Sequence, residues 1–193
     1  MDRRPVALGV TPGSACGSLG TRARHADGRA PSSPTETRAV LDELKILETP
    51  KQPTAVIKLT IPHDKMQEMM GPAIGELMGT LQKLGVQPLG PLFSYHHRLD
   101  PKVFDFEVGV PVQNLVMPSG RVEPSALPAG KIARTVYQGP YEGLDAAWSE
   151  FDNQVTQAGH KMDGSLWERY LAGPESSDDA KEWKTELVRP LKK

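Results

Sequence analysis

The stretch GHKMDGSLWERYLAGP at Gly159–Pro174, followed by EWKTELVRPL at Glu182–Leu191, decides the fold. Two short apolar segments flank a turn rich in glycine, proline, serine and aspartate (Gly173, Pro174, Ser176, Ser177, Asp178, Asp179), which predicts a β-hairpin. Alternation along the first strand puts Leu166, Glu168 and Tyr170 on one face, and Ser165, Trp167 and Arg169 on the other. On the second strand Lys184, Glu186 and Val188 share a face opposite Trp183, Thr185 and Leu187. Glu186 is thereby read as a carboxylate among apolar neighbours, either turned to solvent or kept there at a cost for a purpose.

An earlier stretch has the same grammar. Gly85-Val-Gln-Pro-Leu-Gly90-Pro-Leu92-Phe93 matches Gly159-His-Lys-Met-Asp-Gly164-Ser-Leu166-Trp167, with the glycines equally spaced. Phe104-Asp-Phe-Glu107-Val-Gly-Val-Pro111 matches Trp183-Lys-Thr-Glu186-Leu-Val-Arg-Pro190. Each copy follows a helix-like segment, and that a strand-like one. The expectation is an α+β fold built from two duplicated β-α-β-β units, at about residues 42–112 and 130–192. Neither unit is large enough to bury its own core. They should therefore associate about a pseudo-twofold axis into an antiparallel-rich sheet, with two long helices on one side and a central cleft between.

Working outward, AVIKLTI at residues 55–61 is a strand of β-branched and apolar residues. Asp64 is a candidate N-cap for a helix over Lys65–Leu84, whose apolar positions Met66, Met70, Ile74, Leu77, Leu81 and Leu84 recur at three- and four-residue steps. Gly71-Pro72 predicts a kink or a restart there, and Gly85 a stop. A turn is expected at Leu99-Asp100-Pro101, and a linker without periodicity over residues 113–129. Residues 131–138 form the next strand. Gly139-Pro140-Tyr141 then opens a helix with Leu144, Ala147, Trp148, Phe151, Val155 and Ala158 on one face. The run LDELKILETP at 41–50 reads as a leading strand or a short helix. Residues 1–40 are rich in glycine, proline, serine and alanine with few large apolar groups, and are expected to be a disordered tail ahead of a domain at 41–193. The apolar run after Arg3-Arg4 is short for an export signal.

Composition narrows the function classes. A net charge of −1 leaves no electrostatic footprint for nucleic acid, and no direct nucleic-acid binding is expected. The single cysteine, Cys16, allows no intramolecular disulfide and fits a reducing, cytoplasmic setting. No apolar run approaches the roughly 20 residues of a membrane span. His96-His97 point to opposite faces of a strand and lack further ligands at metal spacing, so neither a metal nor a cofactor is expected.

The runs Tyr137-Gln-Gly-Pro140-Tyr141-Glu-Gly-Leu144-Asp-Ala-Ala-Trp148, Leu166-Trp167-Glu168-Arg169-Tyr170 and Thr185-Glu186-Leu187-Val-Arg-Pro190 together resemble the GyrI-like small-molecule-binding domain, the effector-binding domain of multidrug-responsive transcription activators. The resemblance covers about residues 42–192. It implies a duplicated fold whose cleft takes up amphipathic, often aromatic or cationic molecules, with a glutamate at the position of Glu186 at its base. Some stand-alone members are similar to hydrolases that open the cyclopropane ring of DNA-alkylating natural products, and the namesake protects cells from gyrase poisons. No helix-turn-helix pattern precedes the domain, which argues against a transcription factor.

The readings left open are a binder that senses or sequesters a hydrophobic, cationic compound, a hydrolase in which Glu186 activates water, and a protein-interaction role such as restraining gyrase. Glu186 is the leading site residue, as counter-ion or general base in an apolar setting that raises its pKa. Tyr170 would set its hydroxyl beside Glu186 or stack on the ligand, on the same strand face as Glu168. Trp167, Trp183 and Tyr141 are candidate aromatic walls, with core packing or capping as the alternative. Glu107, the first-unit counterpart of Glu186, would be a second carboxylate flanking the cleft.

Overall fold

The computed structural model describes residues 40–62, 65–99 and 103–192. The expected tail at 1–40, Asp64 as a helix cap and the turn at Asp100-Pro101 lie essentially outside them. Eleven elements follow in order: β1 (Val40–Leu41), β2 (Lys45–Thr49), β3 (Gln52–Pro62), α1 (Met66–Leu84), β4 (Phe93–Leu99), β5 (Val103–Pro111), β6 (Glu123–Leu127), β7 (Gly130–Gln138), α2 (Leu144–Gln157), β8 (Leu166–Ala172) and β9 (Lys184–Pro190). The nine strands make one sheet in the order β1-β7-β9-β8-β4-β5-β3-β6, with β2 also pairing to β7. Every pairing is antiparallel.

The sheet reads alike in both directions from its centre. Outward from the β4–β8 pair come β5 then β3 on one side, and β9 then β7 on the other. That central pair joins Phe93 to Arg169, Ser94 to Glu168, Tyr95 to Trp167 and His96 to Leu166. Each helix covers the outer strands of its own half. Ala73, Leu77 and Leu81 of α1 are buried with Ile57, Leu59 and Val108 of β3 and β5. Ala147, Phe151 and Val155 of α2 are buried with Ala133, Tyr137 and Leu187 of β7 and β9. The helix-side face of the two inner strands is left open between them.

The opposite face has its own core, with Val56, Phe93, Leu127, Ile132, Trp167 and Val188 drawn from six strands. Side-chain alternation therefore sorts each strand's residues into two different environments, since both faces are apolar over much of their area.

Two expectations need correcting, and one that was open is decided. Residues 113–129 are not wholly a linker, because β6 pairs with β3 there. Pro124 can sit in this strand because β6 is the sheet's edge, where a missing N–H breaks no inner ladder. The helix does not restart at Pro72 but runs from Met66 to Leu84, ending at Gly85 with φ 67°. Pro72 is exposed, so water can satisfy the carbonyl that loses its helical donor. The run at 41–50 resolves as strands, paired along β7.

Candidate functional site

Between the helices lies an open cleft of about 1630 Å³. Met70, Ile74 and Met78 of α1 form one wall, and Tyr141, Leu144 and Trp148 the other. The floor is the inner-strand face, with His96, Leu166, Glu168 and Tyr170. A methionine-bearing wall is polarisable and adapts its shape to different apolar bodies.

Tyr141 is delivered by the turn that starts α2. Tyr137, buried in β7, donates from its hydroxyl to the Pro140 carbonyl (3.1 Å), tying the turn to the sheet. A Cβ at Gly143 would collide with that hydroxyl, so a larger residue there would have to displace the Tyr137 ring. A Cβ at Gly173 would lie 2.8 Å from the Tyr141 hydroxyl, so glycine also lets the β8–β9 connection close against this ring. Tyr141 meets Tyr170 edge-on with ring centroids 5.9 Å apart, and Trp183 packs behind it at 4.8 Å.

Glu168 is the centre of the floor. It is 7% exposed, and its Oε1 accepts a hydrogen bond from the Trp148 indole Nε1 at 2.7 Å. Its Oε2 accepts from the Tyr170 hydroxyl at 2.9 Å, and that hydroxyl lies 3.0 Å from Ser94 Oγ. Burial pushes the Glu168 carboxyl above the usual carboxylate range, while the bonds from Trp148, Tyr170 and Ser94 pull it back. Burial also holds the Tyr170 phenol well above its ordinary value, with Glu168 adding to the effect. Trp148 is itself fixed from behind. The Arg189 guanidinium sits 5.0 Å from the indole centroid and is held by Asp152 at 2.8 and 2.5 Å.

Of the sequence candidates, Glu168, Tyr170 and Tyr141 meet at the cleft. Glu186 does not line it. The residue is buried on the opposite face, but between two guanidiniums rather than apolar walls: Arg134 Nη1 at 3.0 Å and Arg169 Nη1 at 3.1 Å. Tyr170 accordingly sits beside Glu168 and not beside Glu186. Strand parity is the cause, since Arg169, the register partner of Glu186, points away from the side that Glu168 faces.

Glu107 shares that far face. It is buried, accepting from Ser125 Oγ at 2.8 Å and lying 3.2 Å from His97 Nε2, so it does not flank the cleft. Trp167 is core, fully buried. Trp183 backs Tyr141 without lining the cleft, and its indole donates to the Ser177 carbonyl at 2.8 Å. Trp148 reads from the sequence only as a core position of its helix. Its placement at the edge of that apolar face, four residues after Leu144, was the one available sign of a wall residue.

Among the described residues the cleft is lined by the carboxylates of Glu142, Asp145, Asp152, Glu168 and Glu175 against one guanidinium, that of Arg189, which Asp152 already pairs. Its field favours positive charge. Among the described residues there is no cluster of three or more His, Cys, Asp or Glu side chains able to hold a metal ion. Nor is any described helix long and apolar enough to cross a membrane.

Comparison with known proteins agrees with this architecture. The EcmrR C-terminal domain superposes with a TM-score of 0.68 at 22% identity, covering 78% of this chain and 98% of that one. Against EcmrR in its DNA complex, the chain spans 57% of the length, with the same TM-score and identity. A hydrolase encoded by lin2189 from Listeria innocua matches with a TM-score of 0.56 at 15% identity, over 78% of this chain and 92% of that one. SAV2435, solved bound to tetraphenylphosphonium, gives 0.55 at 14%, over 78% and 94%. No curated protein sequence matches the chain. The family model of the GyrI-like small-molecule-binding domain matches residues 42–192, and the chain belongs to that family.

Proposed function

We propose that the domain captures organic cations with aromatic or aliphatic bulk, with Glu168 as the counter-charge at the cleft floor. One observation carries this. Glu168 is buried beneath Tyr141, Trp148 and Tyr170, and among the described residues its hydrogen bonds come only from neutral donors. Such donors stabilise the ionised form without cancelling its charge. The uncompensated charge faces aromatic and apolar walls, a setting in which a soft cation gains from both ring faces and counter-ion.

The test is calorimetric titration with tetraphenylphosphonium, the cation that SAV2435 binds. Wild type should bind it, and Glu168→Gln should lose about 10–100-fold in affinity, the scale of one charge-assisted contact. An unchanged affinity in Glu168→Gln would overturn the assignment.

The contact between Glu168 and Tyr170 also supports a hydrolytic reading. Glu168 would take a proton from water as the water oxygen bonds to a cyclopropane carbon and the strained C–C bond breaks, its electron pair passing to a conjugated oxygen that the Tyr170 hydroxyl, turned from Glu168, would stabilise. Incubation with cyclopropane-bearing alkylators, followed by mass, separates the two. Multiple turnovers mean a hydrolase, and retention of one equivalent means a binder.

A further inference from the structure

Both oxygens of the Glu168 carboxylate are already engaged by the protein. Oε1 accepts from Trp148 at 2.7 Å, and Oε2 from Tyr170 at 2.9 Å. Neither donor is loose. The indole is braced by Arg189 at 5.0 Å, which is itself buried and bound to Asp152, and the phenol is braced by Ser94 at 3.0 Å. With the residue only 7% exposed, a ligand in the cleft meets the charge of Glu168 but little open acceptor surface.

Resting on the cation reading above, we propose that Trp148 and Tyr170 make the cleft selective for cations that carry no N–H donor: quaternary ammonium, N-alkylated heteroaromatic and phosphonium groups. Trp148 is the specificity-determining residue in this proposal, through the oxygen it occupies. A primary ammonium brings three donors and a tightly held hydration shell. At this floor it would surrender water and find one acceptor site on each Glu168 oxygen taken and the rest shielded by burial, leaving buried donors unpaired. A quaternary cation of equal charge gives up little hydration and needs only the field of Glu168 and the ring faces. The exposed carboxylates at the mouth, Glu142 and Asp145, lie at the solvent edge and serve either kind of cation alike.

The experiment is a calorimetric comparison of a matched pair, (biphenylmethyl)trimethylammonium and protonated biphenylmethylamine, which share ring system and charge. Wild type should bind the quaternary member at least about tenfold more tightly, the scale of a hydrogen bond forgone. Trp148→Phe keeps a ring but opens Oε1, and should narrow that preference severalfold by strengthening the primary ammonium. Tyr170→Phe opens Oε2 in the same way and replaces the first variant should melting curves show that Trp148→Phe is unfolded.

Equal affinity of wild type for the two cations, or a preference unchanged in the folded variants, overturns the inference. If both cations bind and Glu168→Gln loses them alike while the ratio ignores Trp148 and Tyr170, the cation reading stands and the selectivity proposal falls. If neither cation binds wild type, both fall.

Discussion

Glu168 and Glu186 lie on adjacent strands, nearly equally buried at 7% and 6%, yet they face opposite sides of the sheet and do different things. Glu186 is clamped by Arg134 and Arg169, so its charge is spent inside the protein across β7, β9 and β8. Glu168 is held by an indole and a phenol, so its charge is stabilised but left over. Burial therefore does not identify the functional acid of this fold. The sign and number of the partners do, because only a carboxylate without a fixed cation has something to offer a ligand.

The comparison breaks most visibly in a pair of variants. Glu186→Gln removes the shared anion from two guanidiniums and should destabilise the domain by about 1–3 kcal/mol, nearer the lower figure because both arginines reach solvent. That corresponds to a melting temperature lower by roughly 2–12 °C for a domain of this size, in the lower part of that range. Tetraphenylphosphonium affinity of the folded fraction should change less than about twofold, since Glu186 lies off the cleft. Glu168→Gln should show the reverse, with affinity lost and melting temperature held or raised, because burying a charge costs more than burying an amide. If Glu186→Gln were the variant that lost the ligand, the assignment of the two acids would be inverted.

A pH series sharpens the contrast. Glu168 holds its proton to higher pH when folded than when unfolded, because burial raises its pKa. Between the two values the folded state binds more protons, so the stability contribution falls as pH rises through that window. The melting-temperature gain of Glu168→Gln over wild type should thus be absent below the ordinary carboxylate range, grow as pH rises and level off above the raised value. Cation affinity of wild type should run parallel to that gain, weakening as pH drops through the raised value of the folded state. A gain independent of pH would mean that Glu168 is not raised.

The smallest effect is expected for Tyr170→Phe. The ring stays against Tyr141 and only the hydroxyl contact to Glu168 is lost. Tetraphenylphosphonium affinity should change by less than about fivefold, since one neutral hydrogen bond to the counter-ion is at stake. A loss as large as that of Glu168→Gln would give Tyr170 a larger share of the site than this geometry does.

Most of the architecture was legible because it is written in local patterns. The hairpin of β8 and β9, the amphipathic α2 and the stop at Gly85 follow from alternation, helical spacing and backbone freedom. What local pattern missed or left open was long-range. The edge strand β6 carries Pro124 and no alternation, and exists because β3 offers it a ladder. The leading strands are ambiguous by period and are decided by β7.

Site residues were legible as to parity but not as to side. Alternation correctly grouped Glu168 with Tyr170 and Leu166, and Glu186 with Val188. It contains nothing that says which group meets the helices, and with both faces partly apolar the composition could not break the tie. The family motif then drew attention to Glu186, whose partners Arg134 and Arg169 lie 52 and 17 residues away in sequence. Trp148 was hidden for a similar reason, since helical spacing marks a face as apolar without distinguishing its centre from its rim.

The position of Trp148 also gives the molecule an optical voice. Of the three tryptophans in the chain, Trp167 is sealed in the opposite core and Trp183 stands behind Tyr141, while Trp148 forms part of the cleft wall. Its indole N–H is hydrogen-bonded to the acid that would answer a cation's charge, and its ring is the surface on which that cation would rest. Arrival of a charged guest would shift the field along the indole and alter its emission, with the other two tryptophans as a steady background. Occupancy of the cleft could then be followed by the protein's own light, with no label attached.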